Sequence, residues 1–277
     1  MTIDNLHQLR QWQPPYRPDA IIEEGILLPG TVMMTFGAAG TWKTMNSMHL
    51  AFCISRGEPW FGLSTMPATV YLHQVELPKL LARDRVIKYA TGQNTLPNLF
   101  FKTPDDDVLL DTTWGLQSLS KDIEEVRRRT ADPSLSTVVI LDPLYLHMQG
   151  HISDEFEVKK FQRNINSLRK KYDVSFIIVH HSRLTRVDSE GKVVDLGAEE
   201  IMGSSMWNNW LDTIIRIKLC NPYSGSNICQ FTFDKTRNAQ RFLPGFKVRW
   251  CRDTLYPEVI ARDIVEEEEP TVRGELL

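Results

Sequence analysis

The stretch Gly37-Ala38-Ala39-Gly40-Thr41-Trp42-Lys43-Thr44 decides the fold of this 277-residue chain. It matches the pattern G-x-x-x-x-G-K-[ST] at every fixed position except one, because Trp42 stands where the pattern has its second glycine. Such a loop binds phosphate with successive backbone N–H groups and a helix N-terminus, while the lysine neutralises charge and the hydroxyl holds magnesium. We therefore expect these eight residues to bind ATP, and Thr44 also to bind Mg²⁺.

The residues around the octet predict a loop between a strand and a helix. Residues 31–36 form an apolar run that is typical of a buried strand. Met45, Met48 and Phe52 continue at helical spacing until Gly57, a typical helix stop. A strand, a loop and a helix in this order are the context that the motif requires.

Trp42 is the one departure from the motif. Backbone amides rather than side chains hold the phosphates, so we expect the substitution to be tolerated. The indole ring then either points outward from the first helical turn or flanks the nucleotide. The alternative is a loop crowded by the ring, which predicts a nucleotide-binding scaffold with an impaired loop.

The composition favours a folded α/β protein over a membrane protein or a nucleic-acid coat. The chain is 42% hydrophobic and 24% charged, which is enough apolar material for a core. It has no apolar stretch of membrane-spanning length and no signal peptide, so we expect a soluble cytoplasmic protein with no membrane partner. The four cysteines lack zinc-site spacing. A net charge of −3 restricts any nucleic-acid contact to local surfaces.

The distribution of residues predicts three segments. Residues 1–28 are polar and proline-bearing and are expected to form an N-terminal arm, residues 29–262 a single domain, and residues 263–277 an acidic, disordered tail. Apolar runs within the domain predict four strands separated by helices, at 69–72, 137–141, 174–179 and 213–217. This pattern indicates a mostly parallel, twisted sheet with helices on both faces. Runs at 228–233 and 246–250 predict antiparallel strands added at the C-terminal edge.

One crossover helix is evident from its apolar face, which is formed by Val158, Phe161, Ile165 and Leu168. Either Asp154 or Ser153 is a suitable N-cap for it.

Two acidic residues end apolar strand runs and are candidates for the chemistry of an ATPase. Asp142 follows the run 138–141 and is the predicted second magnesium ligand. Glu76 follows the run 70–75 and is the predicted group that orients or deprotonates the attacking water. Taken alone, Asp142 is equally typical of a helix or turn cap, and Glu76 of a surface glutamate before a Leu-Pro break.

The order of these motifs resembles that of the RecA-like P-loop ATPases, and within them the RepA-type hexameric replicative helicases of plasmids and phages, from about residue 26 to residue 241. The resemblance implies a RecA-like ATPase domain over residues 29–262. It also implies that Glu76 is catalytic, that an arginine-bearing helix follows with Arg83 and Arg85, and that Asp142 completes the metal site.

The same resemblance assigns roles to three further residues. His181, in Val179-His180-His181-Ser182-Arg183, matches a polar sensor of the γ-phosphate, and a neutral imidazole at this sheet edge can donate a hydrogen bond to phosphate. Lys235 and Arg237 match basic residues that reach the nucleotide of the adjacent subunit, Arg237 as an arginine finger. The alternatives are a structural histidine pair and a basic pair in an exposed hairpin. The finger hypothesis requires a homo-oligomer, expected to be a hexameric ring.

Two segments after sheet strands, 145–155 and 183–203, are the candidate contacts for single-stranded DNA. The second carries Arg183, Arg186 and Lys192, although acidic residues dilute their charge. The resulting hypothesis is a magnesium-dependent ATPase that forms a ring and translocates on single-stranded DNA as a replicative helicase. The alternatives are a replication or recombination accessory, such as a loader, that does not unwind DNA, and the impaired scaffold described above.

Overall fold

The computed structural model describes residues 3–12, 20–90, 96–103, 108–182, 186–187, 193–194, 197–201, 203, 205–221 and 225–264. The strands are β1 (Val32–Gly37), β2 (Thr69–Gln74), β3 (Leu99–Lys102), β4 (Thr137–Asp142), β5 (Val174–His181), β6 (Arg186–Val187), β7 (Val193–Val194), β8 (Thr213–Leu219), β9 (Ile228–Thr236), β10 (Gly245–Trp250) and β11 (Pro257–Ile264). The α-helices are α1 (Leu6–Gln11), α2 (Lys43–Arg56), α3 (Lys79–Tyr89), α4 (Thr113–Arg129), α5 (Glu155–Tyr172) and α6 (Met206–Trp210). Short 3₁₀ helices span Leu144–His147 and Gly197–Glu200.

Nine strands form one sheet in the order β11-β10-β9-β8-β1-β5-β4-β2-β3. The strands from β8 to β3 are parallel to one another, while β9, β10 and β11 pair antiparallel at the other edge. All residues of β1, β2 and β4 are buried, as expected for continuous apolar runs covered on both faces. The predicted mostly parallel sheet with antiparallel strands at its C-terminal edge is confirmed.

Helices cover both faces of the sheet and divide the core into two clusters. One face packs against α2 and α3, whose buried side chains include Phe52 and Tyr89. The other face packs against α4, α5 and α6, with Leu119, Phe161 and Trp207 at its centre. The crossover helix α5 is the one predicted, and the Asp154 carboxylate caps it by accepting from two backbone N–H groups.

The first and last parts of the chain differ from the predicted segments. Ile21, Ile22, Ile26 and Leu27 are at most 1% exposed and belong to the same core cluster as α2, so the domain body includes residues that the sequence placed in the arm. At the other end, β11 continues to Ile264, beyond the expected boundary at 262. Among the described residues, no helix is long and apolar enough to cross a membrane.

Candidate nucleotide-binding site

The strand order brings most of the predicted site residues to the carboxyl ends of the parallel strands. The last residue of β1, Gly37, pairs with His181 at the end of β5. The last residue of β4, Asp142, pairs with Gln74, which ends β2 two residues before Glu76. Because β1, β5, β4 and β2 are parallel neighbours, their carboxyl ends lie side by side, where α/β sheets bind ligands.

The octet forms a tight loop between β1 and α2. Gly37 has no room for a side chain, since a Cβ atom there would lie 2.2 Å from the carbonyl oxygen of Ile217 on β8. Gly40 has a φ of 78°, the left-handed region that favours glycine. The Thr41 hydroxyl and Lys43 Nζ both donate to the carbonyl oxygen of Ala38, at 2.9 and 2.6 Å, and close the loop on itself.

Trp42 replaces the second glycine of the motif without changing the backbone that a glycine favours. Its φ of 61° and ψ of 21° are left-handed, and α2 begins at the next residue, Lys43. The indole is half-buried and lies parallel to the ring of Trp250 on β10, with centroids 5.7 Å apart. The ring therefore packs against β10.

Asp142 lies beneath the loop and is 1% exposed. Ser47 Oγ donates to one carboxylate oxygen at 2.6 Å, and Thr44 Oγ1 lies 3.5 Å from the other. Burial raises the pKa of Asp142 to about 6, and the nearby charge of Glu76 also raises it. A cation beside this carboxylate favours its charged form. Magnesium prefers oxygen ligands, commonly one or two carboxylates together with substrate phosphates, so Asp142 and Thr44 fit a magnesium site.

Lys43 is also buried, at 7% exposure. Burial lowers its pKa to about 8, although the carboxylates of Asp142 and Glu76 oppose the shift. A phosphate group placed in the loop supplies a further negative charge close to the ammonium group. Phosphate binding therefore favours the charged form of Lys43.

A cavity of about 450 Å³ opens over the loop and joins the predicted residues. Lys43, Thr44 and Asp142 line it together with Glu76 and His181. Burial and the charge of Lys43 lower the pKa of His181, which favours its neutral imidazole, although the charge of Glu76 opposes the shift. A neutral imidazole and an exposed carboxylate thus face the same volume as the phosphate loop.

The profile described as "AAA domain" matches residues 4–186, more than half of the chain. The chain belongs to the AAA domain family. No curated protein matches its sequence.

Solved structures share the fold of this AAA domain. One similar structure is that of a DnaB-like replicative helicase, from a study of its interactions with primase. It superposes with a TM-score of 0.61 at 14% sequence identity, covering 82% of this chain and 58% of that chain. The ATPase domain of G40P gives a TM-score of 0.60 at 14% identity, covering 82% of this chain and 84% of that one. This chain therefore spans little more than half the length of the DnaB-like helicase. The expected RecA-like fold is confirmed, and with the family it identifies an ATP-hydrolysing P-loop enzyme.

Two predicted site residues, Lys235 and Arg237, lie away from the cavity. Lys235 Nζ donates to the carbonyl oxygen of Asn208 at 2.5 Å, and Arg237 Nη2 to that of Asn209 at 3.0 Å, both in α6. Arg237 Nη1 also pairs with Asp212 Oδ1 at 3.1 Å. Because β9 runs antiparallel to β8 and β1, its last residues lie beside the amino-terminal ends of these strands. Arg237 is therefore about 15 Å from the loop, measured along the strand direction.

The structure describes all of the candidate DNA loop 145–155 but only parts of loop 183–203. Loop 145–155 is ordered against Asp111, whose carboxylate oxygens accept from the N–H groups of Gln149 at 2.9 Å and Gly150 at 2.7 Å. Most of loop 183–203 lies outside the described residues, including Arg183 and Lys192. Within it, β6 and β7 pair antiparallel, and β6 begins at Arg186.

Several residues in or beside the cavity were not assigned to the site from the sequence. Ser47 lies one helical turn after Thr44, so the 3.6-residue period could have found it. Arg85 lines the cavity, whereas Arg83 of the same helix pairs with the exposed Asp84. Tyr145 packs edge-on against His181, with ring centroids 5.4 Å apart, and Leu255 enters the cavity wall from the turn between β10 and β11. Tyr145 follows the end of β4 by three residues, whereas no local sequence signal marks Leu255, because the packing of the β10–β11 turn positions it.

Proposed function

We propose that this AAA domain is a magnesium-dependent ATPase that assembles as a hexameric ring and translocates on single-stranded DNA as a replicative helicase. The observation that carries the proposal is the division of the predicted residues. Lys43, Asp142, Glu76 and His181 face one cavity, while Arg237 lies at the opposite end of the parallel strands. Such a division suits a site that two subunits complete together.

The phosphate loop binds the nucleotide in this proposal. Its backbone amides and the N-terminus of α2 face the phosphates, and Lys43 places its charge against them. Thr44 and Asp142 hold Mg²⁺, which neutralises charge on the phosphates when it is bound. Ser47 keeps one oxygen of Asp142 hydrogen-bonded, which fixes the orientation of the carboxylate.

The hydrolysis groups lie on the outer side of the same cavity. The Glu76 carboxylate accepts a hydrogen bond from the attacking water and orients it. His181 donates a hydrogen bond toward the γ-phosphate and registers its loss. Tyr145 packs against that imidazole at the start of loop 145–155, so a change at His181 acts directly on a residue of a candidate DNA loop.

Arg237 and Lys235 act on the nucleotide of the neighbouring subunit. In the isolated protomer their cationic groups bond to the C-terminal carbonyls of α6, a favourable position for positive charge. The Arg237 side chain is 49% exposed. Its partner Asp212 also accepts from the Val32 N–H at 3.0 Å and lies 3.8 Å from Arg169 Nη2. Exchange of this contact for a phosphate oxygen is therefore energetically feasible.

Loops 145–155 and 183–203 contact the DNA strand. Phe156, directly after the first loop, is 65% exposed, and Lys160 Nζ lies 4.4 Å from the centre of its ring. An exposed aromatic ring beside a lysine suits single-stranded DNA, which is bound by base stacking and by cations near its phosphates. A hexamer places these loops from six subunits around one strand.

A strand-separation assay tests the proposal. The wild type is expected to separate a forked duplex when ATP is present, and Lys43→Ala, which lacks the phosphate-loop charge, is expected not to. Phe156→Ala should retain ATP affinity and bind single-stranded DNA more weakly by roughly 5- to 100-fold, as expected for the loss of one stacked base. ATP turnover without separation of duplexes that carry either overhang would favour a loader or accessory instead.

A further inference from the structure

The nucleotide cavity has an apolar side that phosphate and metal chemistry does not use. Beside its charged residues, the wall contains Trp42, Met45, Leu77 and Leu255. Trp42 and Leu255 are half-buried, so each combines a packed part with an accessible part. A nucleotide has one apolar, flat component, its base, and the apolar side of the cavity matches it.

The turn between β10 and β11 builds this apolar side together with the start of α2. Trp250, just before the turn, lies parallel to Trp42 and edge-on to His49, with ring centroids 5.7 and 6.3 Å apart. Because Trp250 contacts both rings, Trp42 and His49 lie on the side of α2 that faces β10. Tyr256, just after the turn, lies edge-on to His49 at 5.8 Å. The turn therefore lies along this face of α2 and brings Leu255 into the wall that Trp42 also lines.

We propose that Trp42 is the stacking platform for the nucleotide base. One face of its indole lies on Trp250, which fixes the ring. The base stacks on the cavity side of the ring, and Leu255 closes the pocket. The residue that departs from the phosphate-loop motif thereby supplies binding energy that a glycine lacks. The inference rests on the proposed use of this cavity for nucleotide.

Stacking makes a specific prediction about which part of the ligand is recognised. An aromatic platform recognises the π-face of a base and not its hydrogen-bonding edge, so ATP and GTP should both use it. A purine has a larger face than a pyrimidine, so both should bind more tightly than CTP. Inorganic tripolyphosphate has no base and should not sense the indole.

The test compares Mg-ATP with Mg-tripolyphosphate by isothermal titration of the full chain. The variants are Trp42→Gly, which removes the ring, and Trp42→Phe, which keeps an aromatic face. Glycine favours the left-handed backbone of this position, so Trp42→Gly is expected to fold. Trp114→Leu is the matched control, because Trp114 is 54% exposed on α4, which packs on the other face of the sheet.

We expect Trp42→Gly to weaken Mg-ATP binding by roughly 5- to 100-fold and to leave tripolyphosphate binding unchanged. Trp42→Phe should retain most of the ATP affinity, and Trp114→Leu all of it. The inference is overturned if Trp42→Gly weakens both ligands equally, weakens neither, or is matched by Trp42→Phe. Failure of strand separation would contradict the helicase proposal and leave these binding ratios unaffected, so the two failures are distinguishable.

Discussion

At Trp42 the backbone has a φ of 61°, a conformation that costs a non-glycine residue about 1–2 kcal/mol. The parallel contact with Trp250 offsets this cost, since aromatic pairs contribute roughly 0.5–1.5 kcal/mol beyond their buried area. The contact joins residues 208 positions apart, 250 minus 42, and lies outside the reach of any local pattern. The side chain at position 42 therefore differs from that of the motif, while the backbone keeps the left-handed conformation that glycine favours there.

Two shifted pKa values predict how Mg-ATP affinity depends on pH. Lys43, with a pKa near 8, is charged below pH 8 and loses its charge above it. Asp142, with a pKa near 6, is ionised above pH 6 and protonated below it. Both charges favour binding, so affinity should be greatest between about pH 6 and 8. It should fall toward either side by up to about tenfold per pH unit.

Titration of Mg-ATP binding from pH 5 to 9.5 measures this profile. Lys43→Arg keeps its charge throughout and should flatten the alkaline side. Asp142→Asn does not ionise and should flatten the acidic side, at lower affinity overall. An affinity that is constant across the range in the wild type would contradict these assignments.

The sequence predicts the site residues that follow strands better than those that reach the site from elsewhere. Asp142, Glu76 and His181 each end or follow a run of apolar residues, and parallel neighbours necessarily align such ends. Leu255 enters the cavity only because the turn after β10 lies along α2. That contact depends on tertiary packing and has no period or spacing in the sequence.

At the scale of elements, loop 145–155 contacts β2 and β5, the strands that precede Glu76 and end at His181. His147 Nε2 lies 3.2 Å from Nδ1 of His73, which precedes Glu76 by three residues on β2. Burial lowers the pKa of His73 to about 2 and that of His147 to about 4, so both rings are neutral. Tyr145 contacts His181 on β5. The start of the loop is therefore packed between the elements that carry Glu76 and His181, the proposed catalytic and sensor residues.

The far part of this loop depends on Asp111. Replacement of this residue, which is 7% exposed, by Ala removes the acceptor of two loop N–H groups and should lower the free energy of unfolding by about 1–3 kcal/mol. Single-stranded DNA affinity should fall, because the loop no longer has one conformation, while Mg-ATP affinity stays near that of the wild type. Urea unfolding and fluorescence anisotropy with a labelled oligonucleotide measure these effects.

Asp111→Asn is the matched control for loop anchoring, because one of its two acceptors is retained. Its effects on stability and on DNA binding should lie between those of the wild type and Asp111→Ala. If Asp111→Ala loses stability but binds DNA as the wild type does, loop 145–155 does not contact the strand.

The parallel strands that the sequence predicts are those in which consecutive residues are buried. The apolar runs predicted five strands, β1, β2, β4, β5 and β8, and their positions are confirmed. β3 and β11 were not predicted, because the described side chains of these two edge strands are mostly half-buried or exposed and do not form such a run. Their positions follow from pairing with β2 and β10.

At the scale of the whole molecule, the proposed catalytic site is divided between two copies of the chain. The cavity carries the phosphate loop, and Arg237 lies at the opposite end of the parallel strands. This arrangement predicts complementation between subunits with different defects. Lys43→Ala and Arg237→Ala should each be inactive alone, whereas rings assembled from an equal mixture should recover about a quarter of wild-type turnover, since one interface in four is intact.

Mass measurement with a non-hydrolysable ATP analogue shows whether the mixed subunits assemble. Differently tagged variants that copurify in one ring provide the necessary control. Assembly without recovered turnover, or full activity of Arg237→Ala alone, would contradict the shared site. The Arg237→Ala variant should remain folded, because the Asp212 carboxylate keeps the Val32 N–H and Arg169 as partners.

The central claim is that the octet from Gly37 to Thr44 works as a phosphate loop despite Trp42. The most direct test is steady-state ATP turnover of the wild type, Lys43→Ala and Trp42→Gly at saturating Mg²⁺. We predict turnover in the wild type, none in Lys43→Ala, and no gain at low ATP concentration in Trp42→Gly. A wild type without turnover, restored to activity by Trp42→Gly, would show that the indole blocks the loop and would contradict the claim.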